Sequence, residues 1–437
     1  MRNRPLEQKR DTIFAVSTAP GAAAVAVIRI SGPDAAKAFA LTGNGRETRA
    51  REGTLREVFD EPNGSRIDEA LLLWFPAPHS YTGENVLEIQ THGSRAVIGA
   101  LTTALAKLPD FRPAEAGEFT RRAVENGRLD LTRAEAIADL IAAETDAQRK
   151  LALRQYDGAL ASLYQDWRQR LIRAAAWVEA AIDFPDEELP EGISERCRGE
   201  LKAILGELQQ HLNDQHRGEI VREGFQVAVI GPPNAGKSSL VNALARRDVA
   251  IVSEIPGTTR DIIEVKLDLG GYAVVLADTA GLRDSLEPIE QEGVRRAIAR
   301  AKAADFRLVV LDATAEDSKI EGDLVIRNKA DLVAVRKTGE LYISAKTGEG
   351  LDELVRVLTE RAAQRVSFGE APLLTRTRHR YAVEHAAAEI AAAIDEHRPE
   401  LAAEHLRRAM RQIGRITGAV DLDELLDVVY RDFCIGK

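Results

Sequence analysis

The apolar pattern of this chain changes texture several times. Residues 24–30 (AVAVIRI), 70–75 (ALLLWF) and 86–91 (VLEIQT) read as strands, and residues 35–41 and 96–107 carry helical spacing. The stretch 13–30 reads as strand, turn, strand, because Pro20 and Gly21 interrupt it. From about Leu131 to Ile182 the pattern predicts long amphipathic helix. Ile137, Leu140, Ile141, Leu151, Leu160, Leu163, Trp167, Leu171 and Trp177 recur there at roughly helical intervals. Pro185 and Pro190 punctuate that run, and a further helix is expected near 194–216. At Phe225 strands begin to alternate with helices and glycine loops, and this block runs to about Gln364. Residues 373–430 return to helix, at 381–396, 400–416 and 422–430. Helical texture on both sides of an α/β block predicts one helical domain assembled from two segments.

Composition sharpens this outline. A chain of 437 residues is too long for one ordinary core and implies two or three domains. Aromatics are only 5%, so Ala, Leu, Ile and Val must fill the cores. The net charge of -10 excludes a basic nucleic-acid clamp over the whole surface, though a local arginine cluster can still hold RNA. Two cysteines, Cys197 and Cys434, make no disulfide framework and point to a reducing compartment. No apolar run approaches the ~18 residues of a membrane span. The basic start MRNRPLEQKR resembles that of a secretory signal, but Pro20, Gly21 and Arg29 break the apolar stretch behind it, so a cytoplasmic protein is expected.

The chemistry is concentrated in the α/β block. The strand pattern 225–231 (FQVAVIG) runs directly into 231–238 (GPPNAGKS) and then into the helical SSLVNALA. This is a P-loop, GxxxxGK[ST], in its strand–loop–helix setting. Glycines let backbone N–H groups curl around phosphates, and the helix N-terminus adds a positive dipole end. Lys237 is expected to reach the β- and γ-phosphates and the Ser238 hydroxyl to bind Mg²⁺. Asp278-Thr279-Ala280-Gly281 follows a second buried run, and its Asp can orient a metal-bound water while the Gly281 N–H meets the γ-phosphate. Asn328-Lys329-Ala330-Asp331 follows the strand 324–327; an Asp here accepts from guanine N1–H and the exocyclic amine, which adenine cannot supply. Ser344-Ala345-Lys346 follows the strand 341–343, where such domains close over the base. Four signatures in order, each at the C-terminal end of a strand, predict GTP binding by a Ras-like doubly wound domain. Residues 255–261 (IPGTTRD) lie between the P-loop and DTAG and suit a mobile loop that senses Mg²⁺ and γ-phosphate.

The catalytic details leave alternatives. The position after Gly281, often a water-orienting Gln in small G proteins, is Leu282. Asn234 could help bind a monovalent cation or only shape the turn. Glu287, Glu290 and Glu292 could position water or only begin a solvated helix.

The motifs GPPNAGKSSLVNAL, IPGTTRD, DTAGLR and NKAD resemble a bacterial GTPase group that includes the Era and Der ribosome-assembly proteins. The flanking segments 80–93 (SYTGENVLEIQTHG), 116–120 (AGEFT), 126–131 (NGRLDL), 134–141 (AEAIADLI) and 433–437 (FCIGK) resemble the MnmE (TrmE) family of tRNA modification GTPases, over essentially the whole chain. That resemblance implies a multidomain fold: an N-terminal α/β folate-binding and dimerisation domain at 1–122, a discontinuous helical domain at 123–222 and 371–437, and an inserted G domain at 223–370. It implies a homodimer that works with a MnmG-like flavoprotein in a heterotetrameric complex, with FAD only on the partner. Together they would install a carboxymethylaminomethyl-type group on C5 of the wobble uridine of certain tRNAs, drawing on 5-formyl- or methylene-tetrahydrofolate. GTP hydrolysis to GDP would depend on K⁺ and on G-domain association across the dimer.

Carried onto this sequence, the family site implies K⁺ held by Asn234, Ser253, Ile255 and Thr258, and Mg²⁺ by Ser238 and Thr259. Glu290 would orient water, alongside Lys237 as the phosphate lysine. GTP contacts would come from Asn234, Ala235, Gly236, Lys237, Ser238 and Ser239; from Ser253, Glu254, Ile255, Pro256, Gly257, Thr258 and Thr259; from Asp278, Thr279, Ala280 and Gly281; and from Asn328, Lys329, Asp331, Ser344, Ala345 and Lys346. A folate would meet Arg29, Glu88, Arg128 and Lys437; taken singly, Arg29 and Arg128 are residues more often found in surface ion pairs. Cys434 either takes part in the modification chemistry or is a small buried thiol.

Two departures from the family pattern stand out. The loop Pro20-Gly21-Ala22-Ala23-Ala24 lacks the extra glycines and arginine typical there. Only 11 residues (313–323) separate the strand ending at Asp312 from the strand before NKAD, so the crossover helix expected there is lost or reduced. The competing readings are a ribosome-assembly GTPase switch and a folate-dependent one-carbon enzyme regulated by GTP. The first is disfavoured by a single G domain, the lack of a placeable KH-type GXXG loop and the acidic charge.

Overall fold

The computed structural model describes residues 11–183, 193–247, 249–251, 264–278, 304–315, 320–366 and 371–420. The chain divides into two compact units, Met1–Ala138 with Gly414–Lys437, and Asp139–Ile413.

The first unit is built on a sheet of β1 (Thr12–Val16), β2 (Ala23–Ser31), β3 (Thr54–Phe59), β4 (Arg66–Phe75), β5 (Val86–Gly93) and β6 (Phe111–Pro113), in the order β3-β4-β5-β2-β1-β6. Strand alternation sends Ile28, Ile30, Leu72, Trp74, Leu87 and Ile89 to one buried face, where they meet Leu101 and Leu105 of α1 (Arg95–Ala106). The other face carries Arg29 of β2 directly opposite Glu88 of β5. The expected helix at 35–41 is a 3-10 helix, Ala35–Leu41, as suits a short piece ended by an extended Thr42. The sequence pattern missed β3 and β6. β3 is an edge strand whose Arg56 and Glu57 dilute its alternation, and β6 has only three residues. Helix α2 (Glu118–Glu125) buries Phe119 against Ile13 and Ala15 of β1.

The amphipathic helical run predicted over 131–182 forms three helices: α3 (Leu131–Ala142), α4 (Asp146–Tyr156) and α5 (Ala159–Asp183). Thr145 starts α4 with a capping box to Gln148, and Gly158, at φ 93°, turns the chain before α5. Apolar periodicity continues across both breaks, so it cannot reveal them. α6 (Ile193–Leu212) and the short α7 (Arg217–Glu223) follow.

The second sheet contains β7 (Phe225–Ile230), β8 (Glu264–Leu269), β9 (Tyr272–Asp278), β10 (Phe306–Asp312), β11 (Leu324–Asn328) and β12 (Leu341–Tyr342), in the order β12-β11-β10-β7-β9-β8. All pairs are parallel except the edge pair β8–β9. With α8 (Lys237–Ala245) and α9 (Leu351–Val366) this is the doubly wound G-domain arrangement. Its core joins Val227, Val229, Leu240, Leu276, Leu308 and Ile326 to Ala147 and Leu151 of α4 and Ile220 of α7. The connection from β10 to β11 has no helix among its described residues. Asp323 lies along β10 instead: its N–H donates to Arg307 O at 2.9 Å, and its carboxylate accepts from Arg307 N at 2.8 Å.

The chain then returns to helix in α10 (Thr377–Asp395) and α11 (Pro399–Thr417). Buried Arg380 of α10 ties this segment to the earlier helices through Asp214, at 2.7 Å, and Glu219 of α7. The expected helix at 422–430 lies outside the described residues. No helix among the described residues is long and apolar enough to cross a membrane.

Candidate guanine-nucleotide site

Strand β7 is central in its sheet, and the loop after it is shaped by positions that tolerate no larger residue. Gly231 has φ 149°, and a Cβ there would lie 2.1 Å from the Val310 carbonyl of β10. Gly236 has φ 86°, and its Cβ would lie 2.2 Å from Asn328 Nδ2. Asn234 stands at φ 60°, exposed on the rim. Lys237, the first residue of α8, is buried, and its ammonium donates to the carbonyls of Gly231 at 2.8 Å and Pro232 at 2.9 Å. The loop thus wraps around a buried positive charge of the kind that suits phosphate. No side chain caps α8, because its N-cap is Gly236, so its first N–H groups suit an anion. Ser238 follows, half-buried, where a hydroxyl can reach a cation beside the phosphates.

The base side is wired to this loop through one residue. Asn328, at the end of β11 and 2% exposed, donates through Nδ2 to Ala235 O at 2.9 Å and accepts through Oδ1 from Ala345 N at 3.0 Å. A single amide therefore fixes the P-loop, the NKAD segment and the Ser344–Lys346 segment relative to one another. Lys329, at φ 65°, pairs with Asp312 at 2.5 Å. Asp331 is exposed and accepts from the buried Ser344 hydroxyl at 2.6 Å. That hydroxyl holds the Asp331 carboxyl below its ordinary range, so it stays ionised and able to accept from a purine edge. Asp278 ends β9, next to Val229 of β7, which puts its backbone at the same end of the sheet.

In the first unit, Arg29 and Glu88 form a paired couple, both 18% exposed, with Arg29 Nε donating to Glu88 Oε1 at 2.9 Å. The Arg29 guanidinium lies 5.1 Å from the centre of the Tyr81 ring, and Tyr81 in turn bonds Thr120 at 2.7 Å. Arg128 is exposed and runs alongside Gly83, where a Cβ would lie 3.1 Å from its Cγ.

A family model described as the MnmE helical domain matches residues 131–434, and one described as the GTP-binding protein TrmE N-terminus matches residues 12–128. The chain is 52% identical to the tRNA modification GTPase MnmE of Rhodospirillum rubrum, over 98% of this chain and 99% of that protein. It is also 52% identical to the protein of that name from Parvibaculum lavamentivorans, over 98% of this chain and all of that one. The chain belongs to the MnmE family of tRNA modification GTPases.

Several of the site residues expected in this MnmE-family chain lie outside its described part: Ser253, Glu254, Ile255, Pro256, Gly257, Thr258, Thr259, Thr279, Ala280, Gly281, Glu290, Cys434 and Lys437. Of the other expected contacts, Asn234 to Ser239 gather at the P-loop, and Asn328, Lys329, Asp331, Ser344, Ala345 and Lys346 gather across the sheet end from it. Sequence reasoning missed Asp312, the partner of Lys329; its place at the C-terminal end of a buried strand was the available signal. It also missed the charged cluster in which Arg122 pairs with Glu84 at 3.1 Å and Glu118 at 2.9 Å, while Arg112 holds Glu118 at 2.7 Å. The other cysteine, Cys197, is a buried free thiol whose burial pushes it above its ordinary range, which suits packing and not reactivity.

Proposed function

We propose that this chain is a K⁺-dependent GTPase that acts with a MnmG-like flavoprotein to add a carboxymethylaminomethyl group to C5 of the wobble uridine of certain tRNAs, using a folate one-carbon unit. The observation that carries the reading is likeness over the full length to relatives named tRNA modification GTPase MnmE. Under it the chain is a cytoplasmic homodimer with a folate-binding N-terminal domain at 1–122, a helical domain at 123–222 and 371–437, and a G domain at 223–370.

The residues present fit this chemistry. Lys237 exchanges the loop carbonyls for phosphate oxygens when a triphosphate enters, and the uncapped start of α8 adds its N–H groups. Asp331 selects guanine, because its ionised carboxylate needs two donors on the base edge. Ser238 and Thr259 would hold Mg²⁺, which neutralises phosphate charge. Asn234, Ser253, Ile255 and Thr258 would hold K⁺, a fixed positive charge against the developing phosphate charge. With Leu282 in place of a glutamine, Glu290 positions the attacking water. Arg128 and Lys437 suit folate carboxylates, and Glu88, paired with Arg29, suits the donor edge of a pterin. Cys434 takes part in the modification chemistry.

The test is GTP turnover by the full chain in Na⁺ and then K⁺, with the Glu290→Ala variant, together with wobble-uridine analysis of tRNA from a deletion strain. Strong stimulation by K⁺, its loss in the variant and a missing modification are expected. Equal rates in the two salts, or intact wobble uridines, would overturn the reading.

A further inference from the structure

The two loops that bracket the guanine come from the ends of β11 and β12, and between them runs an exposed stretch. Leu332 is 64% and Val335 88% exposed, so this stretch has little apolar burial to hold it. Arg336 is its polar anchor. The guanidinium Nη2 reaches Glu349 Oε1 at 2.7 Å and the Ala330 carbonyl at a long 3.5 Å, and its carbon lies 5.7 Å from the centre of the Tyr342 ring. The next residue adds to the anchor, as Lys337 N donates to the Tyr342 hydroxyl at 3.1 Å.

Both ends of this tie lead into the base site. Ala330 is buried between Lys329 and Asp331, and its N–H donates to Ile343 O at 2.9 Å. Glu349 is held by its own backbone: its carbonyl accepts from Ser344 N at 2.9 Å, and Ser344 is the residue whose hydroxyl holds Asp331. Gly350 fixes the turn behind it, at φ 72°, where a Cβ would lie 2.2 Å from Tyr342 O. Arg336 thus closes a ring: Asp331, Ser344, Glu349, Arg336, Ala330 and back to Asp331.

We propose that Arg336 is a positioning residue that sets the residence time of guanine nucleotides by latching the NKAD loop to the Ser344–Glu349 turn. Its contacts are Glu349, the Ala330 carbonyl and the Tyr342 ring, so it acts through the loops and not on the nucleotide itself. It acts by reducing the freedom of the two loops to separate, which is the motion a leaving base requires. Arg336 is 41% and Glu349 43% exposed, so the effect is that of a solvent-screened pair and not of a buried one.

This inference rests on the guanine-site reading, and the test separates the two. Dissociation of a fluorescent GDP is followed by stopped flow in the full chain at constant K⁺ and Mg²⁺. Arg336→Ala is expected to raise the off-rate about 2- to 5-fold and KM for GTP to match, with kcat at saturation unchanged. Arg336→Glu should raise it further, and Arg336→Glu with Glu349→Arg should bring it back towards wild type. Added choline chloride should move the wild-type rate towards that of Arg336→Ala. If the wild-type protein binds no GDP, the guanine-site reading fails. If it binds GDP but Arg336→Ala leaves the off-rate unchanged, or the charge reversal does not restore it, the latch is wrong and the site stands.

Discussion

Asn328 and Ala235, 93 positions apart in sequence, are joined by a 2.9 Å bond from a side-chain amide to a backbone carbonyl. The bond ties the NKAD segment to the shape of the P-loop. Both atoms are buried, so the contact is dry and geometrically fixed.

Removing that amide should therefore affect phosphate binding although it touches no phosphate. In Asn328→Ala, the buried Ala235 carbonyl and the Ala345 N–H both lose a partner, at about 1–3 kcal/mol for each group left unsatisfied. GTP affinity should fall on the order of 10-fold or more. Calorimetric titration checks this, and an affinity within 2-fold of wild type would contradict the coupling.

Specificity should move with Asp331. An amide in place of the carboxylate offers guanine one donor where it needs an acceptor, so Asp331→Asn should weaken GTP on the order of 100-fold. The same amide can donate to the 2-carbonyl of xanthine, so XTP should become the preferred substrate. Competition between GTP and XTP against a fluorescent analogue measures the switch, and retained GTP preference would remove Asp331 from the base site.

Acid sensitivity should arise in the first unit. Burial raises the Glu118 carboxyl, but bonds from Arg112, the Glu115 N–H and Arg122 more than reverse this and bring it from 4.5 to about 2. A folded-state value below the unfolded one stabilises fully above about pH 4.5, and the gain is lost as pH falls towards 2. The contribution is at most about 3 kcal/mol. Glu118→Gln should lower the melting temperature at pH 6, and the two melting curves should converge as pH falls below 4.5. A constant gap down to pH 3 would exclude this linkage.

The candidate nucleotide site was legible because the chemistry expected of it demands particular residues at fixed intervals: Gly231, Gly236, Lys237 and Asp331 each meet a steric or hydrogen-bonding need. The wiring among them was not. Asn328 reads as a motif letter, and nothing local shows that its two amide atoms point to different loops. Arg336 and Glu349 lie in exposed loops without periodicity, where pairing depends on how the chain folds back. Arg29 and Glu88 were drawn from family likeness. Their pairing depends on the register of β2 and β5, which the turns and core of the whole sheet decide. The corners within the helical run 131–182 were hidden for the opposite reason, since its local signal was strong on both sides of Thr145 and Gly158.

The short connection from β10 to β11 has one more effect. It crosses so close to β10 that a Cβ on Gly322 would lie 2.3 Å from Val309 Cγ2. A slip by one residue would force Glu321 or Asp323 into a gap that admits only hydrogen. The alignment of β11, and with it the positions of Asn328, Lys329 and Asp331, is therefore keyed by a side chain the protein omits.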